Sequence, residues 1–270
     1  MDTFRTTCPL DCFDACGLLV HVDGGRVVKI EGDPDHPITK GFICSKGRLH
    51  IQRLYSPERV LQPQRKKDGG WAPVPWDHAL DLIAAELLEI KKNYGTLAVL
   101  HHYYTGHQGV LRDLDRRFFN AFGGVTEPRG SLCYGAGIEA QRYDFGGLAC
   151  HDWADLINSK TIILWGRNPG ATSIHLIPFL QEAKKHGARV ISINPVQIDL
   201  PDLADEHVQL KPGTDGALAL GLAHLVFREG NEAPGMTRYV EGVGPFAAMV
   251  ARYTPTRVAE ITGVSPGQAR

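Results

Sequence analysis

Little in this chain is extreme, and each shortage closes off a class of function. No stretch approaches the roughly 18 consecutive apolar residues that a membrane-crossing helix needs, because Gly, Arg or His interrupts every apolar run. No membrane span is expected. Neither sign of charge prevails: 29 Lys and Arg stand against 30 Asp and Glu, a net charge of −1. Without a basic excess there is no sequence-wide field for nucleic acid, and none is expected as a partner. Cysteine is scarce too, with six in 270 residues, far too few for a disulfide scaffold. Repeats and low-complexity segments are lacking. The opening MDTFRTTCPLDC has no basic stretch followed by an apolar one and no twin arginine, which reads as a cytoplasmic chain without a leader. In such a reducing compartment a disulfide loses weight. What is present in quantity is apolar residue, 43% of the chain, enough for one large core or two smaller ones.

The few cysteines are not spread evenly. CPLDCFDACG places Cys8, Cys12 and Cys16 within nine residues, and Cys44 follows in ICSKGR. A four-iron cluster commonly takes several thiolates from one tight loop and one from afar. Structural zinc more often uses two close pairs. The three-plus-one grouping places an iron–sulfur cluster ahead of zinc, with a disulfide last. Between the third and fourth cysteine, Leu18 to Gly32 reads as a β-hairpin around Asp23-Gly24-Gly25, and a Pro-ruled loop follows. A small β unit thus brings Cys44 back to the other three.

From Pro57 to Pro75 the chain is polar and rich in Pro and Gly, which reads as a connection. Asp77 then reads as the cap of a helix with Leu80, Ile83, Ala84, Leu87 and Leu88 on one face, ended by Gly95. A short strand is expected over Leu97 to His101, with His101 and His102 read as packing or solvated residues. A helix from about Val110 to Phe122 should end at Gly123-Gly124. Beyond it, TIILWG and ARVISINP read as buried strands and HVQLKP as a shorter one. The segments IHLIPFLQEAKKHG and DGALALGLAHLVFREG read as helices. Such alternation predicts a parallel sheet covered by helices, with ligands at the carboxyl ends of the strands. Ser265-Pro266 has the chemistry of a helix start just before Arg270, so the chain reads as cut inside a larger architecture.

Three strand-end loops carry polar residues. WGRNPGATS precedes a helix whose N–H groups suit phosphate, although it is neither a G-x-G-x-x-G nor a Walker loop. Asn194 ends the second strand. Asp215 opens a helix in KPGTDGA, where a carboxylate is either a cap or a two-oxygen acceptor for the paired donors of a guanine. Together the loops suggest a dinucleotide. Cys133 lies in the glycine-flanked RGSLCYGAG, a loop suited to a bulky ligand; Cys150 reads as a small buried hydrophobe.

Taken in order, CPLDCFDAC with CSKG, SLCYGAG, ILWGRNPGATSIH and ADEHVQLKPGTDGALALG resemble the N-terminal part of a molybdopterin oxidoreductase of the dimethyl sulfoxide reductase and formate dehydrogenase superfamily. The resemblance covers nearly all of the chain. It implies an α/β fold: a small β-rich [4Fe–4S] domain over residues 1–60, a partial α/β molybdopterin-binding domain over 61–155, and a partial Rossmann-like domain for molybdopterin guanine dinucleotide over 156–270. It implies cluster ligation by Cys8, Cys12, Cys16 and Cys44, a relay between cluster and pterin at Lys46, and ligation of molybdenum or tungsten by Cys133, a soft thiolate. Gly166, Asn168, Ser173, His175, Asn194, Gly213, Thr214 and Asp215 match segments that bind the bis-molybdopterin guanine dinucleotide. Arg129, Tyr134 and His175 are candidates to touch substrate or pterin. The implied partners are a small-molecule substrate and an electron-transfer protein.

The chain departs from the family in three respects. Asn194 stands where most relatives carry Asp. Tyr134 stands where formate dehydrogenases have His, which favours reduction of sulfur compounds or a non-redox hydration over formate chemistry. Family members are also much longer. The rival readings are therefore a formate-type or hydratase-type relative, or a non-catalytic iron–sulfur module without molybdenum.

Overall fold

The computed structural model describes residues 1–104, 106, 110–198 and 202–268. It contains two units, Met1–Cys150 and His151–Arg270.

The first unit opens with an antiparallel sheet of β1 (Asp2–Thr7), β2 (Gly17–Asp23) and β3 (Arg26–Gly32) in that order. Its hairpin turns where expected, with Gly24 and Gly25 at φ +54° and +76°, the left-handed region in which L side chains are strained. The β1–β2 register ends on the pair Thr7↔Gly17, so the strands hand their direction directly to Cys8 and Cys16. Beyond β3 the chain folds back tightly. A Cβ on Gly32 would lie 2.2 Å from the carbonyl oxygen of Gly41, so only glycine lets the loop pass at that point. That return carries Ile43 into a small core with Cys16 and Leu18. It leads into the short helices α1 (Ser45–Arg48) and α2 (His50–Leu54).

The expected connection over 57–75 contains structure of its own. Strands β4 (Gln64–Lys67) and β5 (Gly70–Pro73) form a hairpin turned by Asp68 at φ +49° and Gly69 at φ +81°. Its β4 strand, QRKK, is wholly exposed, so no apolar alternation announced it. Helix α3 (Trp76–Tyr94) ends at Gly95 as predicted. Asp77 is not its cap: Pro75 holds that position, and Asp77 lies in the first turn, where a carboxylate favours the positive end of the helix dipole. Leu80, Ile83 and Leu88 remain more than half exposed. In place of a strand at 97–101 there is a 3-10 turn, Thr96–Ala98, and one isolated bridge between Leu100 and Thr126. The helix predicted from Val110 divides into a 3-10 turn and α4 (Leu114–Phe122). Helix α5 (Gly135–Phe145) starts two residues after Cys133.

The second unit has the expected alternation. Strands β6 (Thr161–Trp165), β7 (Arg189–Ile193) and β8 (Glu206–Val208) form a parallel sheet in that order, and α6 (Leu176–Lys185) crosses between β6 and β7. Alternation along the strands divides the core between two faces. Ile162, Leu164 and Val190 pack with Leu176, Leu180 and Ala183 of α6. Ile193 and Val208 pack with Leu218 of α7 (Asp215–Glu229) and Val258 of α9 (Pro255–Thr262). Gly221 makes the α7–α9 approach possible, because a Cβ there would lie 2.6 Å from a Val258 methyl. Helix α8 (Val243–Val250) precedes α9. After Val264, Ser265 Oγ accepts the N–H of Gln268 across a turn; the last two residues of that expected helix lie outside the described residues.

Asp205 holds β7 and the chain entering β8 together. Its carboxylate accepts from Lys184 Nζ at 2.7 Å and from the Val190 N–H at 2.7 Å. Lys184 and then the Val190 N–H hold the carboxyl below its ordinary range. Folding therefore favours the ionised form, and this contribution is present above the ordinary carboxylate pKa and lost as pH falls through the depressed one. The pair is partly exposed, so its worth is at most about 1 kcal/mol. Urea denaturation at neutral and acid pH should show a smaller acid loss of stability in Asp205→Asn than in the parent.

Candidate functional site

The antiparallel register that ends at Thr7↔Gly17 continues as one further bond, from the Cys8 N–H to the Cys16 carbonyl at 2.8 Å. The loop between them is closed by Cys12 N–H to Leu10 O and Ala15 N–H to Cys12 O, with Ala15 at φ +41°. Cys44 arrives at the start of α1, where its Sγ accepts the Gly47 N–H at 3.4 Å. Cys16 is buried, Cys8 and Cys44 are half-buried, and Cys12 is exposed. Burial first, then Cys8, Asp14, Cys44 and Cys12, together push the Cys16 thiol up to about 12. The Cys8, Cys12 and Cys44 sulfurs therefore each lie within electrostatic reach of Cys16. Among the described residues, no three His, Cys, Asp or Glu side chains converge on one point that could hold a single ion. A single zinc needs its sulfurs within about 2.3 Å of the metal. A four-iron cluster is a larger body that takes each thiolate on a different iron, and gathered thiols with an N–H aimed at one sulfur fit it. Lys46 is exposed on α1.

Sequence reading missed a fifth member of this group. His50, the first residue of α2, is buried, and its Nε2 lies 3.5 Å from Cys8 Sγ. Burial, then Arg53, holds its pKa below the ordinary histidine value. Its partner stands 42 residues earlier in the chain, so no local pattern marks it.

Cys133 lies on the wall of a separate cleft in the same unit, about 920 Å³ in volume, with Tyr103, Tyr104, Arg129 and Ser131 among its lining residues. Ser131 Oγ accepts the Cys133 N–H at 3.0 Å and hydrogen-bonds the Tyr104 hydroxyl, which fixes the loop while leaving the thiol exposed. Tyr134 is exposed at the start of α5. Cys150 is exposed as well, contrary to the expected buried hydrophobe: it follows the glycine pair Gly146-Gly147 in a segment without regular structure. His101 packs behind the cleft. It is buried, with Nε2 2.9 Å from Asp115 and Nδ1 3.1 Å from Glu127, and its ring stacks on Tyr103. It thereby ties α4 to the segment that leads into Arg129 and Cys133.

In the second unit the predicted loops follow the carboxyl ends of the three parallel strands. Gly166, at φ +61° after β6, donates its N–H to Ile193 O at 2.8 Å. Asn168 Oδ1 accepts the Ala171 N–H. Ser173, buried at φ +59°, accepts from Arg167 at 2.7 Å, and His175 is buried before α6. Asn194 is buried after β7, and its Oδ1 accepts the Val196 N–H at 3.2 Å, an Asx turn that leaves the amide NH₂ as donor. Gly213 has φ +77°, and Thr214 Oγ1 donates to Lys211 O at 2.6 Å. Asp215 Oδ1 accepts the indole N–H of Trp165 at 2.8 Å, so one carboxylate oxygen already ties the end of β6 to the start of α7. Backbone that turns tightly in left-handed conformations at the mouth of a parallel sheet is the setting in which such folds hold nucleotides.

A family described as molybdopterin oxidoreductase matches residues 59–251, and one described as the molybdopterin oxidoreductase Fe4S4 domain matches residues 1–56. The probable oxidoreductase YyaE of Bacillus subtilis (strain 168) is 46% identical over 226 residues, covering 84% of this chain and 34% of that protein. The probable oxidoreductase YoaE of the same organism is 36% identical, covering 97% of this chain and 39% of that protein. The structure of acetylene hydratase from Pelobacter acetylenicus superposes with a TM-score of 0.81 at 26% identity, over 98% of this chain and 37% of that one. The chain spans well under half the length of these relatives. Fold, site chemistry and both matches agree, and the chain belongs to the molybdopterin oxidoreductase family, whose two matched domains imply a four-iron cluster and a molybdopterin cofactor.

Proposed function

We propose that the chain supplies the iron–sulfur domain and part of the molybdopterin-binding region of an oxidoreductase that oxidises or reduces a small substrate by two electrons. The observation that carries this reading is the gathering of four thiols around buried Cys16, with the Gly47 N–H on Cys44. In this reading Cys8, Cys12, Cys16 and Cys44 hold the cluster. When bound, the molybdenum or tungsten centre would supply the two-electron chemistry and the cluster a route for single electrons toward a partner protein.

The chain's own residues bind and orient. Cys133 offers a soft thiolate to the metal from a loop held by Ser131 and Tyr104. Arg129 lines the same cleft, and Tyr134 directly follows Cys133 at the start of α5; in this reading both touch substrate or pterin. Lys46, two residues beyond Cys44, places positive charge beside the cluster, where it favours added electron density. Gly166, Asn168, Ser173, His175, Asn194, Gly213, Thr214 and Asp215 form the dinucleotide cradle. Asn194 contributes its NH₂ donors in place of an anionic acceptor. The carboxylate of Asp215 receives guanine donors while keeping its bond to Trp165. The stronger identity to proteins named probable oxidoreductases, 46% against 26% for the hydratase, supports the redox reading over hydration.

The test is composition. The chain should be produced in a host that makes molybdopterin guanine dinucleotide and purified without oxygen. Molybdenum or tungsten, together with guanine nucleotide released by acid, is the expected result. Iron without either would replace this reading with an electron-transfer module that lacks a molybdenum centre.

A further inference from the structure

A thiolate bound to iron carries no proton and can only accept a hydrogen bond. Cys8 Sγ has an imidazole nitrogen 3.5 Å away, within reach of an N–H···S bond, and the ring that provides it is only 8% exposed. The ring's place is fixed by backbone: Cys44 begins α1, Leu49 joins α1 to α2, and His50 is the first residue of α2. Facing a metal-bound sulfur, Nε2 must carry the hydrogen. Such bonds to cluster sulfurs withdraw negative charge and favour the reduced state; together with exposure and net charge, they set cluster potentials.

We propose that His50 is a potential-setting residue: its Nε2–H donates to Cys8 Sγ and holds the cluster's midpoint potential above the value that the four thiolates alone would give. The inference rests on the reading of Cys8 as a cluster ligand. It concerns a hydrogen bond, not a change of charge, so it applies at any fixed pH at which the ring is neutral. Two substitutions separate the hydrogen bond from simple packing. His50→Phe keeps a planar ring and loses the donor. His50→Gln places an amide NH₂ near the position of Nε2 and keeps it.

The experiment is a mediated potentiometric titration of the iron-loaded chain at one pH, followed by visible absorption and low-temperature electron paramagnetic resonance, with iron content measured on each sample. His50→Phe should hold full iron and show a lower midpoint, the ratio of reduced to oxidised cluster at a fixed potential falling by up to about tenfold, or about 59 mV for a one-electron couple. His50→Gln should recover most of that shift. Full iron with an unchanged midpoint in His50→Phe would overturn the inference and leave the cluster reading intact. Loss of iron from either variant would assign the ring to holding the loop and would also overturn the inference. A parent chain that binds no iron would overturn the cluster reading, and the inference with it.

Discussion

Cys16→Ser should lose most of its iron while the second unit stays folded. Cys16 is 7% exposed and packs with Leu18 and Ile43. Its thiol, raised to about 12 by burial, by the neighbouring sulfurs and by Asp14, stays protonated in the metal-free chain near neutral pH. Iron must displace that proton, so binding at this sulfur is coupled to the closing of the surrounding fold. Serine has nearly the same shape but a far poorer ligand atom, and it removes the one donor that is anchored in the core. Cys150→Ser is the control, because Cys150 is exposed and lies outside the cluster loop. Iron and acid-labile sulfide per chain, measured after anaerobic reconstitution, check the prediction. Equal iron in Cys16→Ser and the parent would remove Cys16 from the ligand set.

Leu180→Ala should cost the second unit about 2–5 kcal/mol, the usual range for emptying a buried leucine site. Leu180 is fully buried at the centre of the α6 face, between Ile162, Leu164 and Val190 of the sheet and Leu176 and Ala183 of its own helix. Those neighbours belong to regular elements, which close such a gap only in part. Leu180→Met, which keeps the volume, should cost under about 1.5 kcal/mol. Hydrogen exchange read by mass spectrometry localises the effect: peptides from β6, α6 and β7 should lose protection, and those from β1 to β3 should keep theirs. An unchanged exchange pattern in β6 and β7 would show that this face is not the stabilising core.

Much of the second unit was legible because its signals are local. Buried strands of β-branched residues alternate with helices of 3.6-residue period, and glycine closes the helices where φ must be positive, as at Gly230. The cysteine loop was legible for a different reason: three thiols in nine residues have few bland explanations. The failures also have physical causes. The β4–β5 hairpin buries no apolar face on β4, so polarity masked it, although its Asp68-Gly69 turn was in view. Pro75 rather than Asp77 heads α3 because proline's fixed φ already suits that position. His50 with Cys8, Trp165 with Asp215 and His101 with its two carboxylates are long-range pairs. No local period reports a partner 42 or 50 residues away. Asp215 was read as either cap or guanine acceptor, and its bond to the Trp165 indole is a third role that only the sheet could reveal.

In the proposed reading Cys8, Cys12, Cys16 and Cys44 form one four-iron site. Elemental analysis of the anaerobically purified chain tests it most directly. About four iron and four sulfide per chain are expected, as a [4Fe–4S] cluster requires, with zinc near zero. A colourless chain that holds stoichiometric zinc and no iron would contradict it.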